Sequence, residues 1–294
     1  MTASPIVTDV PGEGWWIDGV YLGDIGTMIT ADGWDDVAAE RGDDQELLGL
    51  DGVRFRPHLT AAGTRTIQMG VHGARWDGFQ WVLPASGTAQ RALFEANLDR
   101  LLRLVGVRHR PLLVRRVYPD GSVRRAQCRV TGQIAPTRQG NSYGEVQFTL
   151  LVLGGFFEDV DELTSRLPYD TDGPSTQTVE VFSLRGQSGS CADAEISVTG
   201  ACSSLSVVDA ETGLGFSYAS ALTSGQTLVV QPGGRFAATL AGASIITSIR
   251  FGGSRLLRIS PAPDESRGPS LKITAPGKTS AFSVTVRSRR KWLR

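Results

Sequence analysis

The residues best suited to metal or acid–base chemistry are three histidines, His58, His72 and His109. They stand beside Pro57, Gly73 and Arg110, outside any HExxH pattern or close His/Cys spacing, so local hydrogen bonding or an interface explains them better than zinc. The cysteines Cys128, Cys191 and Cys202 form no CxxC pair. Cys191 and Cys202 could face each other across neighbouring strands, but reduced, partly buried thiols fit a chain without an export signal. No GxSxG elbow occurs, and no glycine-rich segment ends in GKS or GKT. Gly252-Gly253-Ser254-Arg255 is too short for a phosphate loop and sits among strands.

Two acidic groups remain. Asp32, Asp35, Asp36, Glu40, Asp43, Asp44 and Glu46, with Arg41 among them, lack the spacing of a calcium loop and predict an exposed or interface loop. Glu158, Asp159, Asp161 and Glu162 predict an exposed exit from an apolar strand. The basic residues Arg108, Arg110, Arg115, Arg116, Arg124, Arg125 and Arg129 gather around one hairpin, where phosphate contacts compete with ion pairs to a neighbouring subunit. The formal net charge is zero, which favours the ion pairs and gives no nucleic-acid specificity. The terminal run Arg287 to Arg294 includes Trp292 and Leu293, whose apolar surface predicts docking rather than a solvated tail. Trp15 and Trp16 could anchor the other end in the same way. Catalytic, cofactor-binding and metal residues are therefore assigned to none of these groups, and a structural or binding protein is expected rather than an enzyme.

The elements that would position these groups follow from composition and period. With 294 residues, 40% of them apolar and 20% charged, the chain can fill real cores. Its start, MTASPIVTDV, lacks the basic and apolar pattern of a secretory signal. The run Phe148 to Phe157 is about half the length of a membrane helix, so no membrane insertion is expected. The thirty-five scattered glycines predict many turns.

Leu112–Val117, the turn Tyr118–Ser122 and Val123–Gln133 predict a hairpin, in which Ala126, Cys128 and Val130 alternate with Arg125, Gln127 and Arg129. A third strand is expected at Tyr143–Leu153, and Leu151 and Leu153 on its polar side suggest that this far face is also covered. Thr88–Val105 predicts the one long helix, with Phe94, Leu98, Leu101, Leu102 and Val105 on its apolar face, Ser86-Gly87-Thr88 at its start and Gly106 at its end. The turn-rich stretch between Leu163 and Thr178 predicts a linker or inter-domain crossing. Beyond it come about nine short strands: Glu195–Thr199, Leu205–Asp209, Gly215–Tyr218, Thr227–Gln231, Arg235–Leu240, Ser244–Ile249, Leu256–Ile259, Leu271–Ala275 and Phe282–Arg287. The expected fold is mainly β: an N-terminal α+β domain with one principal helix over residues 1–170, then a C-terminal β-sandwich over 171–294, with a closed barrel as the alternative.

In this order the segments resemble the distal tail proteins of long-tailed, siphovirus-like bacteriophages, over nearly the whole chain. GVRFRPHLTAAGTRTIQMGVHG, the helix and the Arg-rich hairpin are similar to that family's ring-forming domain. ISVTG, TGLGFSY and SGQTLVV, in that order, resemble its terminal sandwich, and FSVTVRSRRKWL its final strand. The resemblance implies a homohexameric ring joining tail tube to baseplate hub at the virion tail tip, assembled in the host cytoplasm, with no catalytic set and no cofactor. Two competing functions stay open: recognition of a host-surface glycan by the sandwich, with Tyr218 as an aromatic candidate, and a tail-associated glycan hydrolase.

Overall fold

The computed structural model describes residues 14–32, 40–41, 45–46, 53–54, 59–60, 63–77, 80–107, 109–118, 120–232, 236–252 and 257–293. Asp35, Asp36, Asp43, Asp44, His58 and Arg108 lie outside the described residues, as do the side chains of Asp32, Glu40, Arg41 and Glu46. The chain divides into two compact units, residues 1–157 with 293–294, and residues 158–292. This changeover precedes the expected 170/171 boundary, because Leu163–Arg166 pairs with Ser283–Ser288 inside the second unit.

In the first unit, β1 (Gly14–Ile17), β2 (Val20–Tyr21), β3 (Thr27–Asp32), β4 (Gly63–His72), β5 (Leu112–Val117), β6 (Val123–Arg138) and β7 (Tyr143–Val152) form one antiparallel path, ordered β2-β1-β5-β6-β7-β4-β3. Alternation sets its faces. Val146, Phe148, Leu150 and Val152 are buried on β7, as are Ile67, Met69 and Val71 on β4 and Ala126, Cys128 and Val130 on β6. The hairpin turn has Gly121 at φ 80°, and the Tyr118 amide donates to Ser122 O at 2.9 Å. β6 outruns its expected end at Gln133. Its register against β7 shifts between Thr131 and Ala135, so the bulge hides the two-residue period and pairing resumes to Arg138.

Helix α1 (Gly87–Val105) packs against β4. Ser86 is its N-cap and accepts from the Ala89 amide at 3.2 Å. Its buried face is Phe94, Asn97, Leu98, Leu101 and Val105. Asn97 departs from the expected polar side: its Nδ2 donates to His72 O at 2.8 Å and Ala74 O at 3.2 Å, tying the helix to backbone carbonyls at and just past the end of β4. Gly144 lets the helix approach β7, since a Cβ there would lie 3.1 Å from Phe94. Gly106 ends the helix at an ordinary φ of −75°; a side chain there would meet Leu102 O at 2.5 Å.

The second unit holds β8 (Leu163–Arg166), β9 (Thr176–Glu180), β10 (Glu195–Thr199), β11 (Leu205–Asp209), β12 (Gly215–Tyr218), β13 (Thr227–Gln231), β14 (Ala237–Leu240), β15 (Ala243–Ser244), β16 (Ile249–Phe251), β17 (Ser270–Thr274) and β18 (Ser283–Ser288). They make two antiparallel sheets, ordered β8-β18-β10-β13-β14-β15 and β9-β17-β11-β12-β16. Ile196, Val198, Leu228, Val230, Val284 and Val286 from one sheet share a core with Val207, Phe216, Leu271 and Ile273 from the other, which is a β-sandwich. The stretch expected as a linker instead carries the chain from β8 in one sheet to β9 in the other. Lys278 holds that crossing, donating from Nζ to Gly173 O at 2.7 Å and Pro174 O at 2.9 Å. Ser244–Ile249 is not one strand: adjacent Ile245 and Ile246 break the alternation, and a 3-10 turn at Ile246–Ser248 separates β15 from β16. Of Leu256–Ile259, the described part makes one bridge, Ile259 to Cys191.

Candidate interaction surfaces

The hairpin arginines fall on both faces of the first sheet. Arg115 stands opposite Trp16 on one side and Arg125 on the other; Arg116 stands opposite Trp15 and Arg124. Registered partners share a face, so two like-charged pairs sit side by side on opposite faces, each an unfavourable cross-strand combination. Aromatic rings temper one of them. The Arg116 guanidinium lies 5.5 Å from the Trp15 ring centre and 4.9 Å from Tyr118, and Arg124 lies 4.7 Å from Tyr118. Trp15 and Trp16 are thus packed against the hairpin by strand pairing.

The other face of β6, β7 and β4 carries exposed Gln127, Arg129, Gln147, Thr64 and Thr66, with Leu151 half-buried and Leu153 43% exposed. At one end His72 stacks between Tyr143 at 4.8 Å and Trp81 at 5.9 Å. Burial lowers its imidazole below the ordinary value, and Tyr143 donates to Glu145 at 3.2 Å. His72 is therefore part of an aromatic stack, and His109 is exposed. Exposed Met28 on β3, together with Val82 and Leu83 beyond Trp81, adds apolar surface to this unit.

Arg65 is an unforeseen buried cation on β4. Its Nη1 donates to Thr64 O at 2.9 Å and its Nη2 to Leu293 O at 3.2 Å, and its guanidinium lies 5.6 Å from the Phe157 ring centre.

Within the second unit the two terminal charge runs meet. Lys291 Nζ donates to Glu158 at 2.7 Å and Asp193 at 2.8 Å, Arg287 pairs with Glu162 at 2.6 Å, and Arg290 with Asp159. Trp292 Nε1 donates to the second oxygen of Asp159 at 2.7 Å. Glu158 and Asp159 are thereby half-buried ion-pair partners instead of a freely solvated exit, while Asp161 and Glu162 remain exposed. Burial opposes the Lys291 ammonium, but Asp193 and Glu158 outweigh it and hold its pKa above the ordinary lysine value.

Cys191 and Cys202 do not face each other. Cys191 bridges Ile259, and Cys202 bridges Leu222; both thiols are free and buried, as is Cys128. Burial pushes the Cys128 and Cys191 thiols up to about 12, far from nucleophilic range. Tyr218 is 6% exposed and packs in the sandwich core, so it presents no ring face to a sugar. Among the described residues no three His, Cys, Asp or Glu side chains converge as a metal site, and no helix is long and apolar enough to cross a membrane.

A sheet-and-helix unit followed by a two-sheet sandwich is a fold shared with a solved phage protein. The chain is similar to the crystal structure of the Dit protein (gp 19.1) of phage SPP1, described as a paradigm of the hub adsorption apparatus in phages infecting Gram-positive bacteria. The match has a TM-score of 0.58 at 12% identity and covers 95% of this chain and 99% of that one. Two structures of the phage p2 baseplate in its activated conformation, with Ca and with Sr, align at a TM-score of 0.32, with 7% and 8% identity. They cover 94% of this chain and 98% and 97% of theirs, and carry no further weight. No protein-family model and no curated protein sequence matches the chain.

Proposed function

We propose that this chain is a structural distal tail protein of a long-tailed phage, forming a hexameric connector between tail tube and baseplate hub at the virion tail tip. The observation that carries the reading is the end-to-end fold match to SPP1 Dit, which spans both units. The functional division is a ring-forming body and a sandwich, with the changeover at residues 157/158, because Leu163–Arg166 already pairs with Ser283–Ser288 in a sandwich sheet. Ring closure requires a heterologous interface, one patch on each subunit meeting a different patch on its neighbour. The Leu112–Leu153 sheet is our choice for one side of it, with hairpin arginines meeting carboxylates of the next subunit. Repetition around the ring then multiplies each axial contact with tube and hub.

Negative-stain images of the purified full-length protein test this reading: annuli with six-fold symmetry support it, and compact particles without a central hole contradict it. Glycan binding by the full chain in the absence of any ring would instead favour the host-receptor alternative.

A further inference from the structure

We propose that the carboxy-terminal run 287–292 is an ion-pair clasp that locks the exit of the second unit onto its entrance, residues 158–162, so that the two segments release only together. The chain enters this unit at Glu158 and leaves it at Trp292. Backbone bonds already align these ends: the Asp159 amide donates to Arg290 O at 3.2 Å, and β8 pairs with β18 from Leu163↔Ser288 to Arg166↔Thr285.

Charge follows the same alignment. Running outward, Arg287 meets Glu162, Arg289 Nε reaches Val160 O at 3.3 Å, Arg290 meets Asp159, and Lys291 meets Glu158. The pairs differ in depth. Arg287 and Glu162 side chains are 52% and 31% exposed, where an ion pair is weak and screened; Lys291 is 11% exposed, where losing one partner strands a charge. A third segment completes the inner end: the Ser188 and Gly189 amides both donate to Lys291 O, at 3.0 and 2.9 Å. The basic run is therefore spent internally on carboxylates of its own unit, and cooperative release follows because each segment supplies the other's counter-charges.

Hydrogen exchange of the full-length protein tests the clasp. One set neutralises the exit, Arg287→Gln, Arg290→Gln and Lys291→Met; the other neutralises the entrance, Glu158→Gln, Asp159→Asn and Glu162→Gln. Either set should speed exchange in both segments by about tenfold or more, and the two combined should do no worse than the larger alone, because they remove the same interactions. Multiplicative effects, or exchange in one segment without the other, would overturn the proposal. If the full sets do not fold, Lys291→Met and Glu158→Gln, singly and together, give the same discrimination at the deeper pair.

Discussion

Arg115 and Arg125 stand directly opposite each other in the hairpin, a like-charge pair on one face of the first sheet. Directly opposite like charges are unfavourable in a sheet, and in the proposed ring a neighbour's carboxylate would add attraction at this pair. Arg115→Glu should convert it into an internal salt bridge. We expect an unchanged or slightly higher melting temperature together with loss of the ring, measured by thermal unfolding and light scattering. Lower stability with an intact ring would remove these arginines from the interface.

Asp209 pins the second unit. Fully buried, its carboxylate accepts from Thr212 N and Oγ1 at 2.8 Å and from Ser260 N at 2.9 Å. Asp209→Ala strands these donors and should cost about 2–4 kcal/mol, whereas Asp209→Asn, which keeps one acceptor, should cost less. Denaturant unfolding gives both values, and equal losses would contradict the pin.

Helix docking depends on Asn97 and on the glycine beneath it. Gly26 has φ 70°, and a Cβ there would lie 2.9 Å from His72 O and closer still to Asn97 Nδ2. Asn97→Ala should cost about 1–3 kcal/mol by leaving carbonyls unsatisfied, and Gly26→Ala at least as much. Chemical denaturation followed by helix circular dichroism measures each.

Lys291 makes the second unit sensitive to alkali. Its folded pKa is raised, so its ion-pair stabilisation is fully present below about pH 10.5, the ordinary lysine value, and is lost as pH rises through the folded value. Between pH 9 and 12 the wild type should lose more stability than Lys291→Met. Parallel loss in the two proteins would show that Lys291 contributes nothing to the alkaline slope.

The thiols should be silent in the folded state. Cys128 and Cys191 are buried with pKa values of about 12, and Cys202 is buried with its pKa raised, first by burial. A thiol reagent at pH 8 should label none of the three rapidly in the native protein and all three after unfolding. Rapid native labelling of any of them would contradict this packing.

Much of the fold was legible because hydrophobic period is local. Phe94, Leu98 and Leu101 mark the helix and Val284 and Val286 the last strand without knowledge of their partners. The β6 bulge was not legible, since the extra residues after Thr131 erase the alternation. Nor was Asn97, whose carbonyl partners are set by tertiary approach. The meeting of 158–162 with 287–292 joins opposite ends of one unit, and neither run names the other; the only hint was their opposite charge. Asp18-Gly19 carries a local turn signal of its own. Both residues take positive φ, and Asp18 accepts from the Leu113 amide at 2.8 Å, tying the β1–β2 turn to β5.

Ring assembly is the central claim, and native mass spectrometry of the purified full-length chain over a concentration series tests it most directly. A discrete complex of six subunits is the predicted result. A strictly monomeric chain at every concentration would contradict the account.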